Sequence, residues 1–342
     1  MTGIYRNLWH FIQFLALAIG LTSGAIAGET LKPAPLTQVP IEIINNRVMI
    51  TVPVAHYSLS LTLDTGASST ALFQSNQYTF NDLSVIGDAN IIFPALDKIV
   101  QGFKLAPVPI TFGAHTYMPD RLLKIDRQPT IGDRLNFKFD GVLGQDFFST
   151  FVVEINRETL TMSLYPAGTN LSKYFRGSLP LYMKGTAPHI KLYNKMPWEK
   201  QNQSKEFMLD TGYPGAMVLW GNKHFHLAAK GNDIKALRAE NKGIFTSINF
   251  KIGMIQFFRT PIFVSPNVPH QAKVRDGLIG SNILIWFHHV IDFPGKRLLL
   301  DTGSVNFNQM DGGLYVLNTE AFLIKRFIPE SHAASIFVLE EK

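Results

Sequence analysis

Short apolar runs separated by turn residues make up most of the chain from Val39 onward. The runs are rich in Val, Ile, Phe, Leu and Thr, and examples are IEIINNRVMITVPV, YSLSLTLD, VPITFGAHTYMP and INFKIGMIQFF. Such runs, broken by Asn, Gly and Pro, predict β-strands joined by hairpins. Tight turns are predicted at Asn45-Asn46 and Gly113-Ala114. Helical spacing is rare and predicts helices only over Gln145–Thr150, Ser281–Trp286 and Asp233–Glu240, so the fold class is mostly β.

The same pattern occurs twice along the chain. Pro40 corresponds to Pro180, and Asp64 to Asp210. At an offset of 136 residues, GVLGQDFFSTFVVEINRETLTMSLY aligns without gaps with GLIGSNILIWFHHVIDFPGKRLLLD. A repeat of this length indicates a duplicated domain, because solenoid units have roughly 20–50 residues. The chain is therefore predicted to form two similar lobes related by a pseudo-two-fold axis.

The repeat and the N-terminal pattern together predict four segments. They are a signal peptide at 1–27, a first lobe at 28–172, a second lobe at 173–303 and a C-terminal extension at 304–342. Residues 167–178 are expected to join the lobes. In the extension, YVLNTEAFLIKRF and ASIFVL each have the composition of an added strand.

The tripeptide Asp-Thr-Gly occurs three times, and two copies occupy matching places in the repeat. These two are LTLDTGA, with Asp64, and FMLDTGY, with Asp210. Each is followed by a second signal, DGVLG from Asp140 or DGLIG from Asp276. The third copy, at Asp301, lies opposite Tyr165 in the repeat and lacks that second signal, so a turn at a strand end is predicted there.

Two facing carboxylates on matching halves of one chain indicate a shared site. The apolar strands LTLD and FMLD deliver each Asp to the interior, and the Gly that follows permits a tight turn. An isolated buried carboxylate is costly. Two that face each other can share one proton and hold a water, which the pair can activate as a nucleophile.

At these residues the chain resembles the aspartic proteases of the retropepsin and pepsin-like kind, and most closely the bacterial proteins that carry two such lobes in one chain. The resemblance covers roughly residues 39–303. It implies that Asp64 and Asp210 are the catalytic pair. It also implies supporting residues that interlock beneath the pair or complete the turns: Thr65, Thr211, Gly66 and Gly212. The motifs Val142-Leu143-Gly144 and Leu278-Ile279-Gly280 would form the strands that cross behind.

Two features depart from the family pattern. Ala67 after the first Asp-Thr-Gly fits it, but Tyr213 after the second does not, and a phenol there would narrow the site or alter the hydrogen bonding of Asp210. No glycine-rich flap of the retropepsin type is found. By position, the flap candidates are residues 93–106 and 238–250.

The resemblance implies an aspartic endopeptidase that hydrolyses peptide bonds in a cleft between the lobes. Because both Asp residues lie in one chain, the active unit would be a monomer, with a peptide or protein substrate and no cofactor. One alternative is a catalytically inactive two-lobed module that binds peptides or proteins. Another is a self-inhibited protease, with residues 304–342 covering the cleft.

Composition excludes several other functions. No cysteine is present, which rules out disulfides, thiol chemistry and cysteine metal sites. The formal net charge is +6 without a dense Lys/Arg run, so no nucleic-acid partner is expected. His224 and His226 alternate as on one strand face, and His288 is next to His289, but neither pair has an obvious third ligand, so no metal is expected.

The N-terminus has the pattern of a secretory signal. Arg6 precedes an apolar run from Leu8 to Leu21, and Ala25-Ile26-Ala27 forms a small-x-small cleavage site. An exported protein, periplasmic or secreted, without stable membrane insertion after cleavage is therefore predicted. The alternative is an uncleaved anchor, since Leu8 to Ala27 is about long enough to span a bilayer.

Overall fold

Strands dominate the fold, as the apolar pattern predicts. The computed structural model of the protein describes residues 31–93, 98–125, 139–228, 244–252, 255–265, 276–285, 287–301 and 337–338. From Ala34 onward these residues belong to one compact unit. The predicted signal peptide and most of the predicted C-terminal extension lie outside the described residues.

The strands of the first half precede Ser172. They are β1 (Thr37–Pro40), β2 (Glu42–Ile44), β3 (Arg47–Val54), β4 (Tyr57–Leu63), β5 (Thr70–Phe73), β6 (Val85–Phe93), β7 (Lys98–Leu105), β8 (Ile110–Phe112), β9 (His115–Tyr117), β10 (Leu122–Ile125), β11 (Gly141–Leu143), β12 (Phe151–Asn156) and β13 (Thr161–Pro166).

The strands of the second half follow a short 3-10 turn at Ser172–Tyr174. They are β14 (Gly177–Pro180), β15 (Tyr182–Lys184), β16 (Ala187–Asn194), β17 (Gln203–Asp210), β18 (Met217–Trp220), β19 (Ile244–Ile252), β20 (Ile255–Ser265), β21 (Gly277–Gly280), β22 (His288–Asp292), β23 (Arg297–Asp301) and β24 (Phe337–Val338). The described helices are short: Gln145–Thr150, Asn222–Ala228 and Ser281–Leu284.

The described strands form three sheets. The sheet of the first lobe has the order β6-β7-β10-β5-β11-β4-β3-β8-β9, with β2 paired to β3. The sheet of the second lobe has the order β15-β16-β17-β21-β18-β20-β19-β24. A third, central sheet takes three strands from each half, in the order β1-β13-β12-β22-β23-β14. The protein is thus mostly β with two similar lobes, as predicted.

The central sheet carries the pseudo-two-fold axis. At its middle, β12 pairs antiparallel with β22, and Glu154 lies opposite Val290. Val290 is the residue 136 positions after Glu154, so each is the counterpart of the other in the repeat. Val153 and Ile155 likewise lie opposite Ile291 and His289. The axis therefore crosses the sheet at the Glu154–Val290 pair.

A hydrophobic core continues from the lobes into the central sheet. On β4, where apolar and polar residues alternate, Leu59, Leu61 and Leu63 are all buried. On β17, Phe207 and Leu209 are buried in the same way. Burial of these side chains is the dominant stabilising term for such strands. It also fixes where each strand ends, and the two Asp-Thr-Gly loops begin at those ends.

Several local predictions are confirmed. The helix Gln145–Thr150 has the predicted bounds. The second predicted helix begins at Ser281 as expected but ends at Leu284, and Trp286 lies outside the described residues. The turn at Asn45-Asn46 has positive φ at both residues, 48° and 61°, which Asn tolerates better than most residues. The predicted helix Asp233–Glu240 lies outside the described residues.

The C-terminal extension contributes one described strand. Within the predicted segment ASIFVL, Phe337 and Val338 pair antiparallel with Phe245 and Ile244 at the edge of the second lobe's sheet. The segment YVLNTEAFLIKRF lies outside the described residues. In the described part of the chain, no helix is long and apolar enough to cross a membrane. The lobe boundary at residues 172 and 173 stays a prediction.

Candidate active site

Each Asp-Thr-Gly loop leaves the end of a buried strand and is braced by a second strand. In the first lobe, β11 pairs parallel with β4, which places Leu143 beside Leu63. In the second lobe, β21 pairs parallel with β17 in the equivalent register. The two predicted motifs of each half thus meet at one place, and the site is built from four strand ends.

The two threonines interlock beneath the site. Thr65 Oγ1 donates to the carbonyl of Leu209 at 2.8 Å and accepts the N–H of Thr211 at 3.0 Å. Thr211 Oγ1 donates to the carbonyl of Leu63 at 2.8 Å and accepts the N–H of Thr65 at 3.0 Å. Both threonines are buried. Four hydrogen bonds therefore join the lobes symmetrically, in the positions that the resemblance implied.

The carboxyl groups of Asp64 and Asp210 lie close enough for each to influence the ionisation of the other. Asp64 Oδ1 accepts the N–H groups of Gly66 at 2.8 Å and Ala67 at 3.1 Å. Asp210 Oδ1 accepts those of Gly212 and Tyr213, both at 3.1 Å. The turn after each Asp thus holds one oxygen of its carboxyl group, and the paired carboxylates predicted from the sequence are brought together.

The glycine of each loop lies against the carboxyl group of the other loop. A Cβ atom on Gly66 would stand 2.6 Å from Asp210 Oδ1, and one on Gly212 would stand 2.5 Å from Asp64 Oδ1. Both are too close for any other residue. The two glycines therefore set the approach of the lobes as well as completing the turns.

Burial and mutual repulsion govern how the pair titrates. Burial raises the pKa of Asp64 above its usual value. Burial, together with the negative charge of Asp64, raises the pKa of Asp210 to about 7. Two carboxylates in contact share a proton because the second charge is expensive to create beside the first. Over a range of pH below neutral, the pair therefore carries a single negative charge.

The first residues of the short helices that follow β11 and β21 hold the loops by a matching pair of contacts. The N–H of Gln145 donates to the carbonyl of Ala67 at 2.8 Å, and its Nε2 donates to the carbonyl of Thr65 at 2.9 Å. Its counterpart Ser281 donates to the carbonyl of Tyr213 from both N–H, at 2.9 Å, and Oγ, at 3.0 Å. The sequence motifs did not predict these roles for Gln145 and Ser281, although each residue directly follows an apolar-apolar-Gly motif.

Tyr213 is accommodated by two glycines. The Tyr213 ring packs against Gly215 and Gly280. A Cβ atom on Gly215 would stand 2.5 Å from the phenol oxygen, and a Cβ atom on Gly280 would stand 2.6 Å from Cδ1 of the ring. In the part of the chain that the structure describes, the hydrogen bond from Tyr213 to Asp210 comes from the backbone N–H, and none comes from the hydroxyl. The departure from the family pattern therefore leaves the hydrogen bonding of Asp210 equivalent to that of Asp64.

Arg47 is a further residue at the site, and the motifs did not point to it. It opens β3 directly after the Asn45-Asn46 turn, and its Nε donates to the carbonyl of Gly212 at 2.7 Å. Only 4% of its surface is exposed. Burial lowers its pKa to about 10, while the negative charges of Asp64 and Asp210 oppose that change. A basic residue at the start of the otherwise apolar strand RVMITVPV was the available signal.

The third Asp-Thr-Gly copy lies elsewhere. Asp301 ends β23 in the central sheet, opposite His288 on β22, and forms an ion pair with Arg176 at 3.7 Å. The strand end is therefore confirmed, and the turn predicted after it lies outside the described residues.

The flap candidates are described only in part. Strands β6 and β7 form an antiparallel hairpin whose tip, residues 94–97, is not described. Of the second candidate, residues 238–250, only the part from Ile244 onward is described, and it belongs to β19.

The histidine pairs form no metal site in the described structure. His224 and His226 lie on the helix Asn222–Ala228, so the prediction of two side chains alternating on a strand face is wrong. Helical residues two positions apart do not share a face. His288 contacts Glu154, and His289 is buried. Among the described residues, no group of three or more potential ligands could hold a metal ion.

Comparison with known proteins identifies the fold. No protein-family model matches the sequence, and no curated protein matches it. Solved structures do match. An aspartic proteinase from Irpex lacteus superposes with a TM-score of 0.54 and 17% identity, over 81% of this chain and 99% of that one. The basic 7S globulin from soybean superposes with a TM-score of 0.53 and 10% identity, over 84% of this chain and all of that one (100%). The chain thus has the two-lobed pepsin-like fold.

The interlocking hydrogen bonds predict a specific loss of stability. Thr65→Val keeps the shape of the side chain but leaves the buried carbonyl of Leu209 and the N–H of Thr211 without their partner. Each such group costs about 1–3 kcal/mol. We expect urea unfolding to show a loss of about 3 kcal/mol for Thr65→Val and about 1 kcal/mol for Thr65→Ser, which keeps the hydroxyl. Thr51→Val, at an exposed position of β3, is the control. Equal stability of Thr65→Val and wild type would contradict the interlock.

The raised pKa of Asp210 predicts that Asp210→Asn stabilises the folded protein relative to wild type as the pH rises. A carboxyl group with a raised pKa favours the folded state below its unfolded pKa, and that contribution is lost as pH rises toward about 7. Asparagine does not titrate. Between pH 4 and pH 8, the free energy of unfolding of the variant should therefore rise relative to that of wild type by roughly 2–4 kcal/mol. Thermal and urea unfolding across this range measure the difference. Asp88→Asn, at an exposed carboxyl group, should show no such trend, and a parallel trend for both variants would refute the burial of charge at Asp210.

Proposed function

We propose that the protein is an aspartic endopeptidase in which Asp64 and Asp210 activate a water for attack on a peptide bond. The observation that carries the proposal is the half-buried carboxyl pair, brought together by two interlocked loops. The fold adds support, because a proteinase of the aspartic class shares it. Fold alone does not assign hydrolysis, since a protein named as a globulin shares it too.

The proton inventory of the pair fits this reaction. With one proton on the pair, we assign that proton to Asp210 and the charge to Asp64, because the negative charge of Asp64 contributes to the raised pKa of Asp210. The charged group accepts a proton from the attacking water, and the protonated group donates to the carbonyl oxygen as it becomes negative. The proton taken from water then passes to the leaving amine, and as the C–N bond breaks, a hydroxyl of the tetrahedral intermediate returns a proton to the second carboxyl group. The backbone N–H groups that hold each Oδ1 keep both carboxyl groups oriented throughout.

The substrate class follows from the sheet architecture. We propose that an extended peptide lies in the cleft between the lobes and pairs its backbone with the protein as an added strand does. Since both loops come from one chain, a monomer is the active unit, and the chemistry assigned to the pair needs no cofactor. The symmetric pairing of Glu154 with Val290 supports an origin by internal duplication.

The compartment is proposed from the N-terminal sequence. A leader with Arg6, an apolar run and the site Ala25-Ile26-Ala27 favours export to the periplasm or the medium. The absence of cysteine is compatible with a bacterial protein of the single-chain, two-lobed type.

The first test removes one carboxylate at a time. Asp64→Asn and Asp210→Asn should each abolish hydrolysis of a denatured protein or a peptide library, because a single carboxyl group cannot act as base and acid together. Asp301→Asn, in the third copy of the motif, is the matched control and should keep wild-type activity. Activity in either of the first two variants would exclude the dyad. A wild-type protein that binds peptides in the cleft without cleaving them would favour the inactive binding module.

The second test is the pH profile of the wild-type protein. Activity should rise as the pair loses its first proton and fall as Asp210 loses its proton near pH 7, which gives a bell with its maximum on the acidic side of neutral. Initial rates on one peptide from acid to alkaline pH decide this. A rate that climbs into the alkaline range without a descending limb would rule out the shared proton.

A further inference from the structure

Arg47 lies where a fixed positive charge acts on the carboxyl pair from one side. Its guanidinium group donates from Nε to the carbonyl of Gly212, the glycine of the second Asp-Thr-Gly loop. The neighbouring Asn46 donates from Nδ2 to the carbonyl of Pro214 at 3.0 Å. A turn of the first lobe is therefore hydrogen-bonded to two carbonyl groups of the second Asp-Thr-Gly loop and the residues that follow it.

Among the residues that the structure describes, this contact has no counterpart on the other side of the pseudo-two-fold axis. In the hairpin β2–β3, Arg47 pairs with Ile44, and in the equivalent hairpin β15–β16 the corresponding pair is Ala187 with Lys184. Ala187 has neither a charge nor a side-chain donor. Among the described residues, Arg47 therefore puts a positive charge near the carboxyl pair that the other side of the axis does not match.

The charged and titratable groups that act on Arg47 are Asp64, Asp210 and Tyr213, in that order of strength. They come from the ends of β4 and β17 and from the loop after β17. On β22 of the central sheet, burial lowers the pKa of His289, and the charged groups that act on it are His288 and Glu154. With its pKa near 10, Arg47 remains protonated at the pH where the pair titrates. A buried cation close to two carboxyl groups stabilises their ionised forms strongly, because little water screens it.

We infer that Arg47 is a positioning residue that holds the second Asp-Thr-Gly loop through Gly212 and stabilises the singly charged carboxyl pair, setting the acidic range in which the pair works. The inference rests on the proposed function for its effect on hydrolysis, but its effect on the ionisation of the pair is independent of hydrolysis. Loss of the charge should raise the pKa of both carboxyl groups, because burial would then be opposed by the backbone hydrogen bonds without the help of a nearby cation.

Two substitutions separate the charge of Arg47 from its hydrogen bond. Arg47→Gln keeps an N–H donor for the Gly212 carbonyl but removes the charge, and Arg47→Lys keeps the charge without the guanidinium geometry. Arg121→Met, at an exposed arginine of the first lobe, is the control. The readouts are the pH profile of kcat/KM on one peptide and the ¹³C NMR titration of the Asp carboxyl carbons, with signals assigned from Asp64→Asn and Asp210→Asn.

We expect both limbs of the activity bell of Arg47→Gln to move to higher pH by about one unit, with a parallel shift in the NMR titration. Arg47→Lys and Arg121→Met should titrate within a few tenths of a unit of wild type. An unshifted Arg47→Gln titration would overturn the inference, and so would failure of both Arg47 variants to fold, since the residue would then be purely structural. If wild type cleaves no peptide but the NMR titration still shifts in Arg47→Gln, the proposed function fails and the inference stands.

Discussion

The site depends on bringing two half-buried carboxyl groups together, and the reciprocal hydrogen bonds of Thr65 and Thr211 make this possible. Charge in the interior is costly unless it is paired or hydrogen-bonded. Here each carboxyl group receives two backbone N–H groups, and the negative charge of Asp64 raises the pKa of Asp210 further than burial alone. These contacts require two loops from different lobes to meet without a gap. The glycines after Asp64 and Asp210 permit that approach, since any larger residue would collide with the opposite carboxyl group.

The frame around the pair is symmetric, but its immediate surroundings are not. Pairing of β12 with β22 and the threonine interlock follow the same pseudo-two-fold axis. Tyr213 and Arg47 break that symmetry on the side of the second loop, one with a bulky ring and the other with a charge. Mutual repulsion already favours a singly charged pair, and unequal surroundings favour the charge on one particular carboxyl group. The symmetric fold thus positions the pair, and a few asymmetric side chains bias which of the two groups is charged.

Some local structure could be read from the sequence because its causes are local. Alternating apolar residues specify strands whatever the rest of the chain does, and Asn45-Asn46 specifies a turn because Asn tolerates positive φ. The helix Gln145–Thr150 was predicted with its observed bounds, since it directly follows the apolar-apolar-Gly motif. His224 and His226 show the limit of this approach. Their spacing fits a strand as well as a short helix, and the helix Asn222–Ala228 forms instead.

The sequence by itself determined the mostly β class, the two-lobed repeat and the pair Asp64 and Asp210, because all three are encoded in residue order and spacing. Only the tertiary structure decided which other side chains reach that pair. Arg47 and Gly212 are far apart in sequence and contact each other only because the lobes pack against each other. Likewise, the raised pKa of Asp210 depends on burial and on the charge of Asp64. Both arise from distances through space, which the order of residues does not contain.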